Sequence, residues 1–332
     1  MWRDATTVQI GTTPDRALVI GGLGPIEAAV LRALDGHNTL PTLRDLATAA
    51  GGDPQIADRI VDMLVSAGAA VDGEYVTADS NGLPAESTPD RASLGLVDRS
   101  TDGGHATFTR RGRKRVEVIG AGRIGATVAR LLAAGGIGDV GVDDEALVDA
   151  ADVAPGGHPA AHVGLPRGRS LGSILPRRPR RGSPSEAQPD FVVLAPTKAA
   201  EHQAVATSLL HADVPHLLVH VVEIAGLVGP LVVPGSSACL RCLDLHRTDR
   251  DRDWPTVLDR IARTSPRTPP CDTSLATTVA GLAAGHVLAF LDGYDVASIN
   301  GTITVELPYG LPRRKSWRPH PECDCGGADA AQ

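Results

Sequence analysis

The sequence predicts an α/β protein: a doubly wound parallel sheet, preceded by a small winged-helix module and followed by a C-terminal region stapled by a metal ion. Three observations predict this class. Short strands and three helical patterns fill residues 1–76, strands and helices alternate from Val116 onward, and four cysteines stand in two close pairs. A chain of 332 residues has room for about two domains.

Composition narrows the class of protein. With 42% hydrophobic and 21% charged residues, the chain reads as soluble and globular. Its net charge of −7 argues against a dedicated binder of polyanions, so no nucleic-acid partner is expected. The N-terminus lacks the apolar core of a signal peptide, and polar residues interrupt the most hydrophobic stretch, 217–233. We therefore expect a cytoplasmic protein with no membrane partner.

The first predicted domain covers residues 1–76. Apolar runs at 8–10 and 17–20 predict strands, and helical spacing predicts helices at 25–34, at 42–49 and after Asp53-Pro54. A returning strand at 69–71 completes a winged-helix pattern. Residues 77–110, rich in Gly, Ser, Asp, Pro and Thr, are interpreted as a linker that includes a short helical pattern at 90–96.

The second predicted domain covers residues 111–332. Its strand patterns alternate with helix patterns, which is typical of a parallel sheet. We predict strands at 116–119, 140–142, 191–194 and 217–221, and helices at 124–134, 199–211 and 275–291.

A glycine-rich turn joins the first predicted strand of this domain to its first helix. Gly120, Gly122 and Gly125 form a G-x-G-x-x-G motif in that setting, which is typical of Rossmann-like dinucleotide-binding folds. The helix N-terminus can bind a phosphate, and Asp144, about twenty residues later, can bind a ribose hydroxyl. The same glycines can also serve packing alone, so a bound nucleotide is one of two interpretations.

The cysteines predict a metal site. Cys239 and Cys242 form one close pair and Cys323 and Cys325 form another. Four thiolates suit a closed tetrahedral zinc shell, which is structural because it leaves no position for water. His320 lies near enough in sequence to replace one ligand.

The fifth cysteine has two interpretations. Cys271 precedes a long apolar helix, where a thiol of lowered pKa could act as a nucleophile, and it is the one catalytic candidate. The alternative is a half-buried small residue without chemistry.

Together these motifs resemble the ThiF/MoeB superfamily, the enzymes that adenylate the C-terminal carboxylate of ubiquitin-like and sulfur-carrier proteins. The resemblance covers residues 90–327. The runs 239–247 and 317–325 are similar to a ThiF-like branch associated with azole- and azoline-forming peptide modification. In that branch a winged-helix clamp binds a leader peptide. The resemblance implies a precursor-peptide partner, a cyclodehydratase-type partner enzyme and a homodimer.

The chain departs from the family pattern at the positions whose side chains bind phosphate and magnesium during adenylation. Asp144 keeps the first carboxylate, but Ala146, Asp152 and Pro155 stand where the family has a second Asp, an Asn and a phosphate-binding Arg. Thr197 stands where an Asp would hold magnesium. Attack of a carboxylate on an α-phosphate needs the positive charge of both the magnesium ion and the arginine. We therefore expect adenylation to be lost, and ATP and magnesium stay open as cofactors.

Three other functions stay open. The chain is an active adenylyltransferase if Arg167 or Arg169 replaces the missing arginine. It is a DNA-binding regulator if the basic runs 110–115 and 177–181 bind phosphates. It is a nicotinamide oxidoreductase if one of its histidines serves as a catalytic acid, although none stands at a recognisable spacing.

Overall fold

The chain divides into two units, Met1–Phe108 and Thr109–Gln332, and each has its own apolar core. The structure is a computed structural model, and it describes residues 1–14, 16–73, 83–176, 188–196, 202–264 and 270–327.

The first unit begins with a two-stranded antiparallel sheet, β1 (Val8–Ile10) and β2 (Leu18–Ile20). Three helices follow: α1 (Pro25–Ala33), α2 (Leu40–Ala49) and α3 (Gln55–Ser66). All five elements lie where the sequence predicts them, within two residues at each described end. The order of strands and then helices agrees with the predicted module.

The three helices share one core. Ile56, Ile60 and Leu64 recur every four residues along α3, and all are buried against Val30 of α1 and Leu43 of α2. This periodicity is why the sequence alone located the helices.

The predicted returning strand at 69–71 is wrong. Gly68 has a φ of 62°, which ends α3, and the Ala69 N–H donates back to the Leu64 carbonyl. The segment therefore finishes the helix and has no ladder with a strand. The described part of the predicted linker, from residue 83 onward, contains two further helices, α4 (Thr88–Asp98) and α5 (His105–Arg111).

A seven-stranded sheet organises the second unit. The strands are β3 (Arg115–Ile119), β4 (Asp139–Asp143), β5 (Phe191–Leu194), β6 (His216–Val222), β7 (Ala225–Val232), β8 (Gly301–Glu306) and β9 (Pro312–Ser316). Their spatial order is β4-β3-β5-β6-β7-β8-β9.

The sheet is mixed, which corrects the prediction of a parallel one. Strands β3 to β6 are parallel, but β7, β8 and β9 pair antiparallel. Only Glu223 and Ile224 separate β6 from β7, and so short a connection allows a hairpin and no crossover. Glu223 takes a φ of 56° in that turn. The last two strands, β8 and β9, were missed by the sequence analysis.

Helices cover both faces of the sheet. The helices are α6 (Arg123–Ala134), α7 (Arg167–Ile174), α8 (His202–His211), α9 (Leu240–Arg250), α10 (Trp254–Thr264) and α11 (Thr273–Leu291). Strand β5 shows the two faces: Phe191 and Val193 pack in the core that includes α6 and α11, whereas Val192 and Leu194 pack with α8 and α9.

Helix α11 is long and apolar enough to cross a membrane by length and composition. Seven of its residues are buried, and six of them, among them Val279, Ala283 and Val287, belong to the core of the sheet. Its hydrophobicity is therefore explained in part by packing against β6 and β7.

Candidate functional site

The glycine-rich turn lies between β3 and α6, at the carboxyl edge of the parallel strands. Gly120 has a φ of 91°, and a Cβ there would overlap the Ala195 carbonyl. A Cβ on Gly125 would overlap the Gly120 carbonyl. Gly122 is the N-cap of α6, with no side-chain hydrogen bond to the first turn. Packing therefore requires two of the three glycines, and Gly122 is left as the one near the uncapped helix N-terminus.

Asp144 braces this turn from the end of β4. One carboxylate oxygen accepts the Ala121 N–H at 2.7 Å, and the other accepts the Ala146 N–H at 2.9 Å. Arg167 donates to the first of these oxygens at 3.1 Å. The carboxylate predicted to bind a ribose hydroxyl is thus already held by two backbone groups and a guanidinium.

Arg167 is the central cation of the edge. It lies on α7 with 9% of its surface exposed, and it contacts Asp152 at 2.8 Å as well as Asp144. Asp152 in turn accepts the Asp149 N–H in a capping box. Hydrogen bonds and charge from both aspartates raise the pKa of Arg167 against the effect of its burial. Two carboxylates and one buried cation therefore satisfy one another.

A second buried network holds the turn from its other side. His158 Nε2 lies 2.7 Å from the Ala121 carbonyl oxygen, so this nitrogen carries the proton. Its Nδ1 then accepts from the Ser170 hydroxyl at 2.7 Å, and Ser170 accepts from His162 Nδ1 at 2.9 Å. Burial lowers the pKa of His158, which keeps it neutral. No sequence motif indicated this network.

A cavity of about 360 Å³ opens at the same edge. Its lining combines apolar side chains with three acidic ones: Ile119, Gly120, Asp143, Asp144, Glu145, Ala146, Leu194, Pro196, His202 and Val205. This described lining contains no lysine or arginine. Residues 197–201, including the predicted magnesium position Thr197, lie outside the described residues.

The histidine in this cavity is also neutral. Burial lowers the pKa of His202, and burial together with His202 lowers the pKa of His220 to about 3. The two rings stack with centroids 6.2 Å apart, and neither Nδ1 atom has a hydrogen-bond partner among the described residues. The described cavity therefore presents negative charge.

The four predicted cysteine ligands converge on one point. The sulfur of Cys239 lies 3.7 Å from that of Cys242 and 3.6 Å from that of Cys323, and Cys242 lies 3.5 Å from Cys325. A tetrahedral metal with bonds of about 2.3 Å places its sulfurs about 3.8 Å apart, so these distances fit a four-sulfur metal site.

Burial opposes the thiolate form of two of these cysteines. The hydrogen bond with Cys242 and burial raise the pKa of Cys239, and burial raises the pKa of Cys323 to about 12, whereas the hydrogen bond with Cys239 lowers the pKa of Cys242 to about 4. A bound divalent ion would favour the thiolate form of all four, because thiolates are its ligands. The four cysteines can therefore hold one metal ion.

His320 is not part of the four-cysteine cluster. Its Nε2 lies 2.9 Å from an Asp249 oxygen, and its Nδ1 accepts the Glu322 N–H. Its ring also contacts His246, with centroids 4.7 Å apart. These side chains form a small group beside the cysteines, with His320 engaged at both nitrogens.

Cys271 lies just before Asp272, the N-cap of α11. Burial raises the pKa of this thiol, outweighing the nearby Arg123 guanidinium. A raised pKa does not favour a thiolate nucleophile at neutral pH.

The basic run before β3 is used inside the fold. Arg111 is 7% exposed and donates to Asp292 at 2.5 Å and to the Gly135 carbonyl. Lys114 contacts Asp190 at 3.0 Å. Arg111 and Lys114 are therefore engaged within the second unit, whereas Arg110 and Arg113 of the same run are exposed. The second run, 177–181, lies outside the described residues.

Comparisons with known proteins confirm the predicted ThiF/MoeB-like fold. No family model and no curated protein matches the sequence. The crystal structure of E. coli MccB with AMPCPP and selenomethionine MccA has a TM-score of 0.68 at 15% identity, and the match covers 98% of this chain and 96% of that one. E. coli MccB with ATP has a TM-score of 0.64 at 16% identity, covering 96% and 94%.

Selenomethionine PaaA is similar to the same extent, with a TM-score of 0.68 at 15% identity over 96% of this chain and 98% of that one. MccB is the microcin C7 biosynthetic enzyme and has also been solved with N-formylated MccA. These matches cover 96–98% of the chain and therefore include residues of both units.

Proposed function

We propose that this chain is a ThiF-like protein that has lost adenylation, binds a precursor or leader peptide, and presents it to a separate ATP-using enzyme of the cyclodehydratase type. The observation that carries the proposal is the position of Arg167 between Asp144 and Asp152. The protein acts in the cytoplasm as a homodimer, with a structural zinc ion on the four cysteines.

Electrostatics supports the loss of adenylation. A nucleoside triphosphate needs cations around its phosphates, and a transition state at the α-phosphate needs them more. In the described cavity lining, Asp143, Asp144 and Glu145 are acidic and His202 is neutral. Arg167 is already engaged by its two carboxylates, so its charge is not available to a phosphate.

The first unit supports peptide binding. Among the described residues, β2 pairs with β1 alone, which leaves one edge of the small sheet open. Val19, in the middle of β2, is 47% exposed. An extended peptide can add to such an edge as a third strand, and its side chains can then contact Val19. The complexes of MccB with MccA make a peptide partner reasonable for this fold.

Two measurements on the full chain test the proposal. Fluorescence anisotropy with small precursor peptides encoded beside its gene should show binding that Val19→Asp weakens at least tenfold. Leu46→Asp makes the same kind of change at an exposed apolar residue of α2 and should leave binding intact. ATP–pyrophosphate exchange should stay at background with every peptide. Absence of binding to all of them contradicts the peptide role, and exchange contradicts the loss of adenylation.

The second candidate is an active ATP-dependent adenylyltransferase. The complexes of MccB with ATP and AMPCPP, in the same fold, favour it. Exchange that is present in the natural chain and absent in Asp144→Ala would establish this function. Exchange that survives Asp144→Ala would also remove Asp144 from the site.

A further inference from the structure

The outer strand of the large sheet is open. All five residues of β9, Pro312–Ser316, are exposed, and among the described residues β9 pairs only with β8. The Trp317 N–H donates to the Asn300 carbonyl, so by alternation the backbone groups of Ser316 and Arg314 point away from β8. The backbone of Pro312 also points away from β8, so the N–H that proline lacks costs no hydrogen bond between the two strands.

The same strand carries a concentration of positive charge. Arg313 and Lys315 share one face with Trp317, since alternate residues of a strand point the same way. The Lys315 ammonium lies 4.3 Å from the centre of the Trp317 ring. The Arg250 guanidinium, from α9, lies 5.9 Å from the same centre.

These cations lack acidic partners in the described part of the chain. Arg247 also reaches the Trp317 ring, at 5.7 Å, but it is paired with Asp244. Neither Lys315 nor Arg250 contacts a described carboxylate. Burial and the neighbouring Arg250 and Arg247 lower the pKa of Lys315, which agrees with a positive charge that no described carboxylate compensates.

We propose that β9 binds an extended acidic peptide segment, which adds to the sheet as its eighth strand and places carboxylates against Arg313, Lys315 and Arg250. Main-chain hydrogen bonds to Arg314 and Ser316 supply affinity, and the cations supply selectivity for acidic side chains. A second copy of this chain fits poorly, because antiparallel pairing of two β9 strands would bring their cations together.

This surface shares no residue with the open edge of β2 or with the lining of the cavity. Its residues lie on β9 and α9, and the proposal uses neither Val19 nor Asp144. The acidic-peptide site therefore stands or fails independently of the proposed precursor site.

The test uses the full chain and a fluorescein-labelled octapeptide of alternating glutamate and valine. We expect saturable anisotropy with this peptide and none with the lysine–valine counterpart at equal concentration. Lys315→Glu should weaken binding at least tenfold. Arg169→Glu, an exposed charge reversal on α7 beside the opposite part of the sheet, should leave it unchanged.

A backbone variant separates strand addition from simple charge attraction. Ser316→Pro removes one outward N–H and changes no charge, whereas Ser316→Ala keeps that N–H. Proline should weaken binding at least tenfold relative to alanine, with circular dichroism confirming that both variants are folded. Equal binding by the two variants overturns the proposal, as does binding of both octapeptides alike. A dimer that Ser316→Pro dissociates in sedimentation would assign the edge to a second copy and overturn it too.

Discussion

The cysteine cluster and the glycine-turn edge belong to the same unit, yet they treat charge in opposite ways. At the cysteine cluster, four sulfurs converge and could hold a metal ion from outside the chain. At the glycine turn, two carboxylates converge on Arg167, a cation from the chain itself. The cysteine cluster can accept a cation from solution, whereas the two carboxylates at the glycine turn are already paired with a cation of the chain.

This contrast teaches that a retained motif does not imply a retained ligand. Gly120 and Gly125 stand where backbone contacts leave no room for a Cβ, which is a packing reason. Asp144 accepts the Ala121 and Ala146 N–H groups. Each of these three residues therefore has a structural role that is sufficient without a nucleotide.

The largest expected effect is at the cysteine cluster. We expect one zinc ion per chain by elemental analysis, and its removal by a strong chelator should unfold the C-terminal region. The loss should be on the order of 10 kcal/mol, since metal binding of this kind contributes directly to folding. Cys242→Ser should lower the zinc content to near zero and abolish the corresponding part of the unfolding transition.

Cys271→Ser is the matched control, because it removes the fifth thiol from a place outside the cluster. It should retain one zinc per chain and unchanged thermal unfolding. Zinc retained by Cys242→Ser would contradict the four-sulfur assignment.

The next effect is at Arg167. Arg167→Met removes the buried cation and leaves Asp144 and Asp152 without compensation, which should cost about 3–5 kcal/mol in the free energy of unfolding. Denaturant unfolding measures it. Arg169→Met, an exposed neighbour on the same helix, should change the free energy by about 0.5 kcal/mol or less. Equal losses in the two variants would show that the network is not what holds this edge together.

The two regions also differ in how far the sequence could predict them. Close cysteine spacing is a local signal, and two such pairs were enough to name all four members of the cluster, which the structure brings together. The pairing of Asp144 with Arg167 spans 23 residues and depends on where α7 lies, which no spacing rule reveals. The sequence analysis offered Arg167 as a replacement for the missing phosphate-binding arginine, and the structure pairs it with Asp144 and Asp152.

The sheet follows the same rule. Apolar residues located β3 to β6: β5 is a continuous buried apolar run, whereas β3 alternates buried apolar residues with partly exposed ones. Strand β9, Pro-Arg-Arg-Lys-Ser, has no apolar residue at an inward position, so its pattern predicts a solvated loop. Pairing with β8 makes it a strand, and pairing is a property of tertiary structure that the local sequence does not contain.

The smallest expected effect concerns the neutral imidazoles beside the cavity. The pKa of His220 is about 3 when folded and about 6.5 when unfolded, so below pH 6.5 the unfolded chain binds a proton that the folded chain does not. Its contribution to stability is complete above pH 6.5 and is lost as the pH falls, by about 2 kcal/mol at pH 5. His220→Phe should therefore reduce the loss in unfolding free energy between pH 7 and pH 5 by that amount, as measured by urea unfolding. His211→Phe, at an exposed position on α8, should keep the natural slope. If both variants keep it, the folded and unfolded chains protonate His220 alike, and burial does not hold the ring that stacks on His202 in its neutral form.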